Sequence, residues 1–256
     1  MRAAAVAGKP GDEVISPREA AIREAIDALD FESVAARFRD DGEFVFLESF
    51  LAPLLLDEMV EECRRLYPQI HRAYVPFVRK AGTVGHGAIA RHAPALYALY
   101  RSPAFLDFAR RLSGAQVVLK SGSDAHAAAL YVYQRPGDHV GFHYDDCGCE
   151  DTASYTASLG LINDTESKVH FQLFRNDRQR KMRELYISMK PGSLVFFCGS
   201  RAYHRVTPLG RGEERAVFSF AHVREGKRLT GFWRFYENIK DAVLYFGPKA
   251  LVQKNY

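Results

Sequence analysis

Apolar and polar positions fall into two regimes along the chain. Between Ser16 and Ser113 the apolar residues recur mostly at helical spacing, whereas from Val117 to Val223 they come in short runs separated by turns. Ser16-Pro17-Arg18-Glu19 opens the first helix: the serine caps, the proline suits the first helical position and the glutamate completes a capping box. Ile22, Ile26 and Leu29, then Val34 and Phe38, carry the helical period through two short helices. Asp40-Asp41-Gly42 breaks the pattern, and Glu43–Leu47 reads as a strand. Met59, Val60, Cys63 and Leu66 form the apolar side of a further helix that stops before Pro68. Ala95 to Leu112 is helical in two pieces, restarted at Ser102-Pro103 and ended by Gly114.

The second regime predicts strands at Val117–Lys120, Ala128–Tyr133, Val140–Tyr144, Ser154–Ile162, Val169–Phe174, Glu184–Ser188, Ser193–Phe197, Arg205–Thr207 and Arg215–Val223. Pro136-Gly137, Asn163-Asp164, Asn176-Asp177, Pro191-Gly192 and Leu209–Gly212 supply the turns. Many short strands at close spacing indicate an antiparallel sandwich or barrel. Residues 71–93, with Gly82, Gly85 and Gly87 among basic and aromatic residues, read as irregular. A lid or substrate loop using Arg79 and Lys80 and an ordinary surface loop both fit this stretch; a phosphate-binding glycine motif does not, since no strand-Gly-x-Gly-helix context surrounds it. Residues 1–15 read as a flexible tail, and 224–256 hold the only tryptophan, Trp233, and a helix over Tyr236–Tyr245. The expectation is one domain over 1–256, mostly helical over 16–116, with a β core over 117–223 and a C-terminal extension on the substrate side.

Composition narrows the function classes. At 256 residues, with 47% hydrophobic and 26% charged residues, the chain can build a core without staples. The formal net charge of +4 is small and the arginines (Arg37, Arg79, Arg101, Arg175, Arg205) are dispersed, so nucleic acid is a poor partner. No signal peptide and no apolar run of about 18 residues is present, which argues against a membrane and for a reduced, cytoplasmic setting with free thiols. Cys147-Gly-Cys149, lacking a second pair, reads as plain thiols.

Candidate chemistry concentrates between Tyr131 and Glu150. On an extended segment His143 and Asp145 of His143-Tyr144-Asp145 point to one face. His204, in Tyr203-His-Arg-Val-Thr-Pro208, comes 61 positions after His143 (204 − 143), and Arg215 opens the apolar strand that follows. Two histidines and a carboxylate make the facial triad of non-haem Fe(II) oxygenases, with three coordination positions open. Arg215 then suits a dicarboxylate, with Ser219, four residues on, as a second donor. An isolated His-x-Asp is weak evidence, because a strand histidine is usually just packed. The ordered set of Tyr133-x-x-x-Gly137, His143-x-Asp145, Pro191-Gly192, His204 and Arg215 is stronger.

That set resembles the Fe(II)/2-oxoglutarate-dependent oxygenases over residues 117–223. The resemblance implies a double-stranded β-helix (jelly-roll, cupin-like) core that is mainly β with flanking helices. It also implies Fe(II) on His143, Asp145 and His204, with O2 and 2-oxoglutarate as cosubstrates. The 2-oxoglutarate would meet Arg215 and Ser219, near Tyr131 and Tyr133. A narrower likeness, carried by His143–Asp146, Ser154–Leu161, His204–Arg215 and Glu237–Gly247, is to the radical halogenases and hydroxylases of free amino acids, notably lysine. In those halogenases a glycine replaces the metal carboxylate; Asp145 here implies hydroxylation. The likeness further implies an amino-acid substrate, lysine-like or ω-modified, in a specialised-metabolite pathway, held by Asp146, Arg79 and Trp233; His126 and His139, which lack a ligand's spacing, read from the residues alone as facing the substrate. His126 stands where lysine enzymes place an acid, which implies a side chain without a free ammonium. Desaturation or ring closure, a prolyl-type peptidyl hydroxylase and a non-catalytic jelly roll stay open, as does a homodimer.

Overall fold

The computed structural model describes residues 15–120, 127–145 and 154–225. In chain order the elements are α1 (Pro17–Asp27), α2 (Phe31–Asp40), β1 (Phe44–Leu47), α3 (Pro53–Arg65), β2 (His71–Val75), β3 (Arg79–Gly85), α4 (His86–His92), α5 (Pro94–Arg101) and α6 (Pro103–Ser113). The strands β4 (Val117–Leu119), β5 (Ala128–Tyr133), β6 (His139–His143), β7 (Ser154–Asp164), β8 (Val169–Leu173), β9 (Arg183–Ile187), β10 (Leu194–Cys198), β11 (Tyr203–Val206) and β12 (Glu214–Arg224) follow. Ser16, Asp30 and Ser102 cap α1, α2 and α6 through their side chains, and Gly114 ends α6 in the left-handed conformation.

The strands form one antiparallel sheet in the order β1-β10-β7-β12-β5-β3-β6-β11-β8-β9, with β2 on β3 and β4 on β12. It curls into a double-stranded β-helix. Alternation along the strands shows how the layers divide. Phe196, Leu159, Phe218 and Phe220 point out to the helices and join Ile22, Phe38, Met59, Phe105 and Phe108 in the larger core. Their neighbours Val195, Phe197 and Val217 point inward and meet Phe171 and Leu173 of the opposing strand β8. The helices thus seal one face of the sheet, and its concave interior is left for chemistry.

The stretch 71–93 departs from the irregular loop expected. It is a hairpin, β2–β3, followed by α4. Strand β3 joins the two halves of the roll, pairing with β5 through Gly82–Gly85 and with β6 through Arg79 and Lys80. Its glycines made it read as a loop, but packing requires Gly82: a Cβ there would stand 2.5 Å from the Ile70 side chain and 3.1 Å from the Val132 carbonyl. The strand expected at Arg205–Thr207 also starts earlier, at Tyr203, so His204 lies inside β11. The helix expected at Tyr236–Tyr245 lies outside the described residues, as do Cys147 and Cys149. Cys63 and Cys198 are free and buried. Among the described residues no helix is long and apolar enough to cross a membrane.

Gly160 of β7 marks the tightest crossing of the roll. A Cβ there would sit 2.2 Å from the Lys190 carbonyl oxygen and 2.6 Å from that of Met189. Both obstacles are backbone and neither can rotate away. Gly160→Ala is expected to lower the unfolding free energy by about 3 kcal/mol, read by urea denaturation; a loss within about 0.5 kcal/mol would contradict this packing.

Candidate metal centre

Strands β6 and β11 pair with His143 opposite His204. Two residues further along β11, Val206 faces Val140, three residues back on β6, so β6 carries a bulge between them. The extra residue lets Val140 and His143 both point inward, which strict alternation would forbid. Gly141 sits in that bulge because the turn of the β2–β3 hairpin presses on it: a Cβ would lie 2.5 Å from the Phe77 carbonyl oxygen. Its amide donates to the Val78 carbonyl at 2.8 Å.

On one continuous strand His143 and Asp145 would share a face. The structure brings them together differently, since β6 ends at His143 and Asp145 lies just beyond it. The Asp145 amide donates to the Gly199 carbonyl at 3.0 Å, and the Gly199 amide donates to Ser154 at 2.7 Å. Gly199 has to be bare, because a Cβ would lie 2.4 Å from the Asp145 carbonyl oxygen. Held this way, Asp145 Oδ1 stands 3.3 Å from His143 Nε2 and 3.8 Å from His204 Nε2. Potential ligand atoms of all three residues lie within 4.8 Å of one another.

Both imidazoles are oriented by the backbone. His143 Nδ1 bonds the Gly141 carbonyl at 2.9 Å and His204 Nδ1 that of Ala202 at 3.0 Å. With Nδ1–H donating, Nε2 is the ring nitrogen turned toward Asp145 in both histidines and the one that can ligate a metal once it carries no proton. His204 is stacked on Phe171 and edged by Phe197. Burial, with His143 nearby, pushes its pKa down to about 4, so it stays neutral. Burial also works against charge on His143, but the Asp145 carboxylate and the Gly141 carbonyl outweigh it and raise its pKa above the ordinary value. Burial opposes ionisation of Asp145 too, yet His204, His143 and Thr156 hold its carboxyl well below the usual range.

Arg215 lies on β12 opposite Tyr133 of β5, and its guanidinium sits 5.5 Å from the Tyr133 ring centroid. It alternates with the inward Val217, so it points into the same interior as the histidines. The side chain is buried, burial lowers its pKa, and among the described residues Nε and Nη1 have no hydrogen-bond partner. Arg79 is buried as well, bonded to Thr83 and 5.1 Å from the Tyr131 ring centroid. Ser219, expected beside Arg215, shares a 2.7 Å hydrogen bond with Ser158 of β7 instead. His139 pairs with Lys80 on the face opposite Arg79 and Val140 and bonds the Gly137 carbonyl at 2.8 Å, away from the triad. Asp146, His126 and Trp233 lie outside the described residues. Sequence reasoning missed Thr156, Gly141 and Gly199; the polar alternation Ser154-x-Thr156-x-Ser158 inside an apolar strand was the available signal.

The donor set fits a divalent iron: two neutral imidazoles and one ionised carboxylate. The buried guanidinium fits a carboxylate of a small cosubstrate. Over residues 26–148 the chain matches the family model described as Halogenase D. By structure it is similar to the non-haem α-ketoglutarate-dependent epimerase SnoN from nogalamycin biosynthesis, with a TM-score of 0.60 and 18% identity over 75% of this chain and 81% of that one. It is similar to a prolyl hydroxylase from Trichoplax adhaerens, solved with a hypoxia-inducible-factor peptide, with a TM-score of 0.62 and 15% identity over 80% of this chain and 92% of that one. A prolyl-4-hydroxylase from Pseudomonas putida gives 0.56 and 20% over 77% and 99%. At these identities the likeness is one of fold. No curated protein matches the chain by sequence.

The proton held on His143 has a measurable consequence. A metal must displace it, so affinity is full above the raised pKa of His143 and falls about tenfold per pH unit below it. His204, neutral down to about 4, adds no second proton over most of that range. Titration with Co(II) from about pH 8 to about pH 5.5 is expected to show this one-proton slope; an affinity independent of pH would contradict the assignment.

Proposed function

We propose that this protein is an Fe(II)- and 2-oxoglutarate-dependent oxygenase that hydroxylates an unactivated carbon of a free amino acid or amino-acid derivative. One observation carries the reading: His143, Asp145 and His204 converge in the interior that also buries the guanidinium of Arg215, whose Nε and Nη1 have no hydrogen-bond partner among the described residues. Bound at these residues, iron with 2-oxoglutarate and O2 supplies an oxidant for C–H bonds, with succinate and CO2 as co-products.

The chain's own residues set the rest. Arg215 receives the far carboxylate of 2-oxoglutarate in a low-dielectric wall, where a planar guanidinium–carboxylate pair is strong and specific. Tyr133 stacks under that guanidinium, and Tyr131 shares the interior. Phe171, Phe197, Val217 and Tyr131 exclude water beside the metal ligands. The burial of Arg79 against Tyr131 supports a role for its guanidinium in taking the carboxylate of an amino-acid substrate. The resemblance of His143–Asp146, Ser154–Leu161 and His204–Arg215 to the radical halogenases and hydroxylases of free amino acids supports a small amino-acid-type substrate, and the family model matched over residues 26–148 is that of a halogenase. The carboxylate of Asp145 stands where those halogenases leave room for halide, which supports hydroxylation over chlorination.

Aerobic incubation with Fe(II), 2-oxoglutarate and a panel of free amino acids and ω-modified derivatives, read by mass spectrometry, tests the reading. Succinate tied to one of them is expected, with a product that has gained one oxygen. A product that has lost two hydrogens instead would mean desaturation or ring closure. Succinate released only with a peptide substrate would replace the free-amino-acid reading with a prolyl-type one.

A further inference from the structure

Asp145 has two carboxylate oxygens, and only one of them faces the histidines. Oδ1 lies 3.3 Å from His143 Nε2 and 3.8 Å from His204 Nε2. Oδ2 accepts the hydroxyl proton of Thr156 at 2.8 Å. Thr156 stands on β7 between outward-facing Tyr155 and Ala157, which are locked into the larger core. The backbone of Asp145 is fixed as well. Its amide donates to Gly199, its carbonyl accepts from Ser154 Oγ at 3.3 Å, and bare Gly199 lets the two segments touch. The carboxylate therefore has little freedom except rotation about its own axis, and the Thr156 hydroxyl opposes that rotation.

We propose that Thr156 is a positioning residue of the metal centre, making Asp145 a one-oxygen ligand and keeping a coordination position open. The proposal rests on the iron reading of the site. An ion with six positions and three protein ligands has three left, the number that a bidentate keto acid and dioxygen require. A carboxylate with both oxygens free can bind a divalent ion through both of them, and a second oxygen would take one of those positions. Threonine suits the task. Its hydroxyl donates a proton without adding charge, and its branched Cβ restricts the direction in which that hydroxyl points. The next inward hydroxyl, Ser158, is engaged with Ser219 at 2.7 Å.

The test uses Co(II) as the probe, with the wild-type protein and the variants T156V and T156S, each verified as folded by circular dichroism. Dissociation constants and visible absorption spectra are compared without cosubstrate or turnover. T156V is expected to bind Co(II) about tenfold more weakly and with an altered spectrum, and T156S to restore both. If T156V does not fold, T156A takes its place. Wild-type affinity and spectrum in the hydroxyl-free variant overturn the proposal alone. A serine variant as impaired as the valine one also overturns it, by pointing to packing. Absence of Co(II) binding by the wild-type protein overturns the iron reading, and this proposal with it.

Discussion

The contact between Asp145 and Gly199 closes the site. Asp145 lies just past the end of β6, in one half of the roll, whereas Gly199 follows β10 in the other. The two meet backbone to backbone, with 2.4 Å between an imagined Gly199 Cβ and the Asp145 carbonyl oxygen. Remove that approach and the carboxylate loses both the hydrogen bond from the Asp145 amide to the Gly199 carbonyl and its register with Thr156. His143 and His204 need no such device, since they face each other across neighbouring strands. The third ligand is the one that makes the site depend on the whole roll.

Burial of charge sets the second constraint. Glu62 is fully buried, but its carboxylate accepts the amides of Ala95 and Leu96 at the start of α5. Asp138 is buried against Arg72 and the amides of Gln134 and Arg135. Those groups are satisfied by the fold itself. The ring nitrogens of buried His222 have no hydrogen-bond partner among the described residues, but the ring sheds its charge, burial pushing its pKa down to about 4. An arginine has no such escape, because a guanidinium does not deprotonate in a protein. Two nitrogens of a buried cation that have no hydrogen-bond partner among the described residues therefore suit an anionic ligand.

Much of this was legible in the sequence, for identifiable reasons. The helical period of Ile22, Ile26, Val34 and Phe38 reflects one-sided burial, and the short apolar runs from Val117 onward reflect strands packed in a roll. His143, His204 and Arg215 stood out because their chemistry is unusual on apolar strands. The hairpin of β2 and β3 was hidden, because Gly82 is needed where Ile70 and the Val132 carbonyl close in, and a glycine gives no sign of such neighbours. The bulge at Gly141 was invisible for the same reason, since the Phe77 carbonyl that presses on it is 64 positions away (141 − 77). Thr156 and Ser219 show the limit of spacing arguments: their hydroxyls act on Asp145 and Ser158, partners chosen by register and not by separation along the chain.

The measurement that bears most directly on the account is equilibrium binding of 2-oxoglutarate to the anaerobic, Fe(II)-loaded protein, in wild type and in Arg215→Gln. The account predicts one equivalent bound per chain, dependent on the metal and weakened by roughly two orders of magnitude in the variant, in keeping with loss of a buried charged pair. Binding that ignores either the metal or the arginine would contradict it.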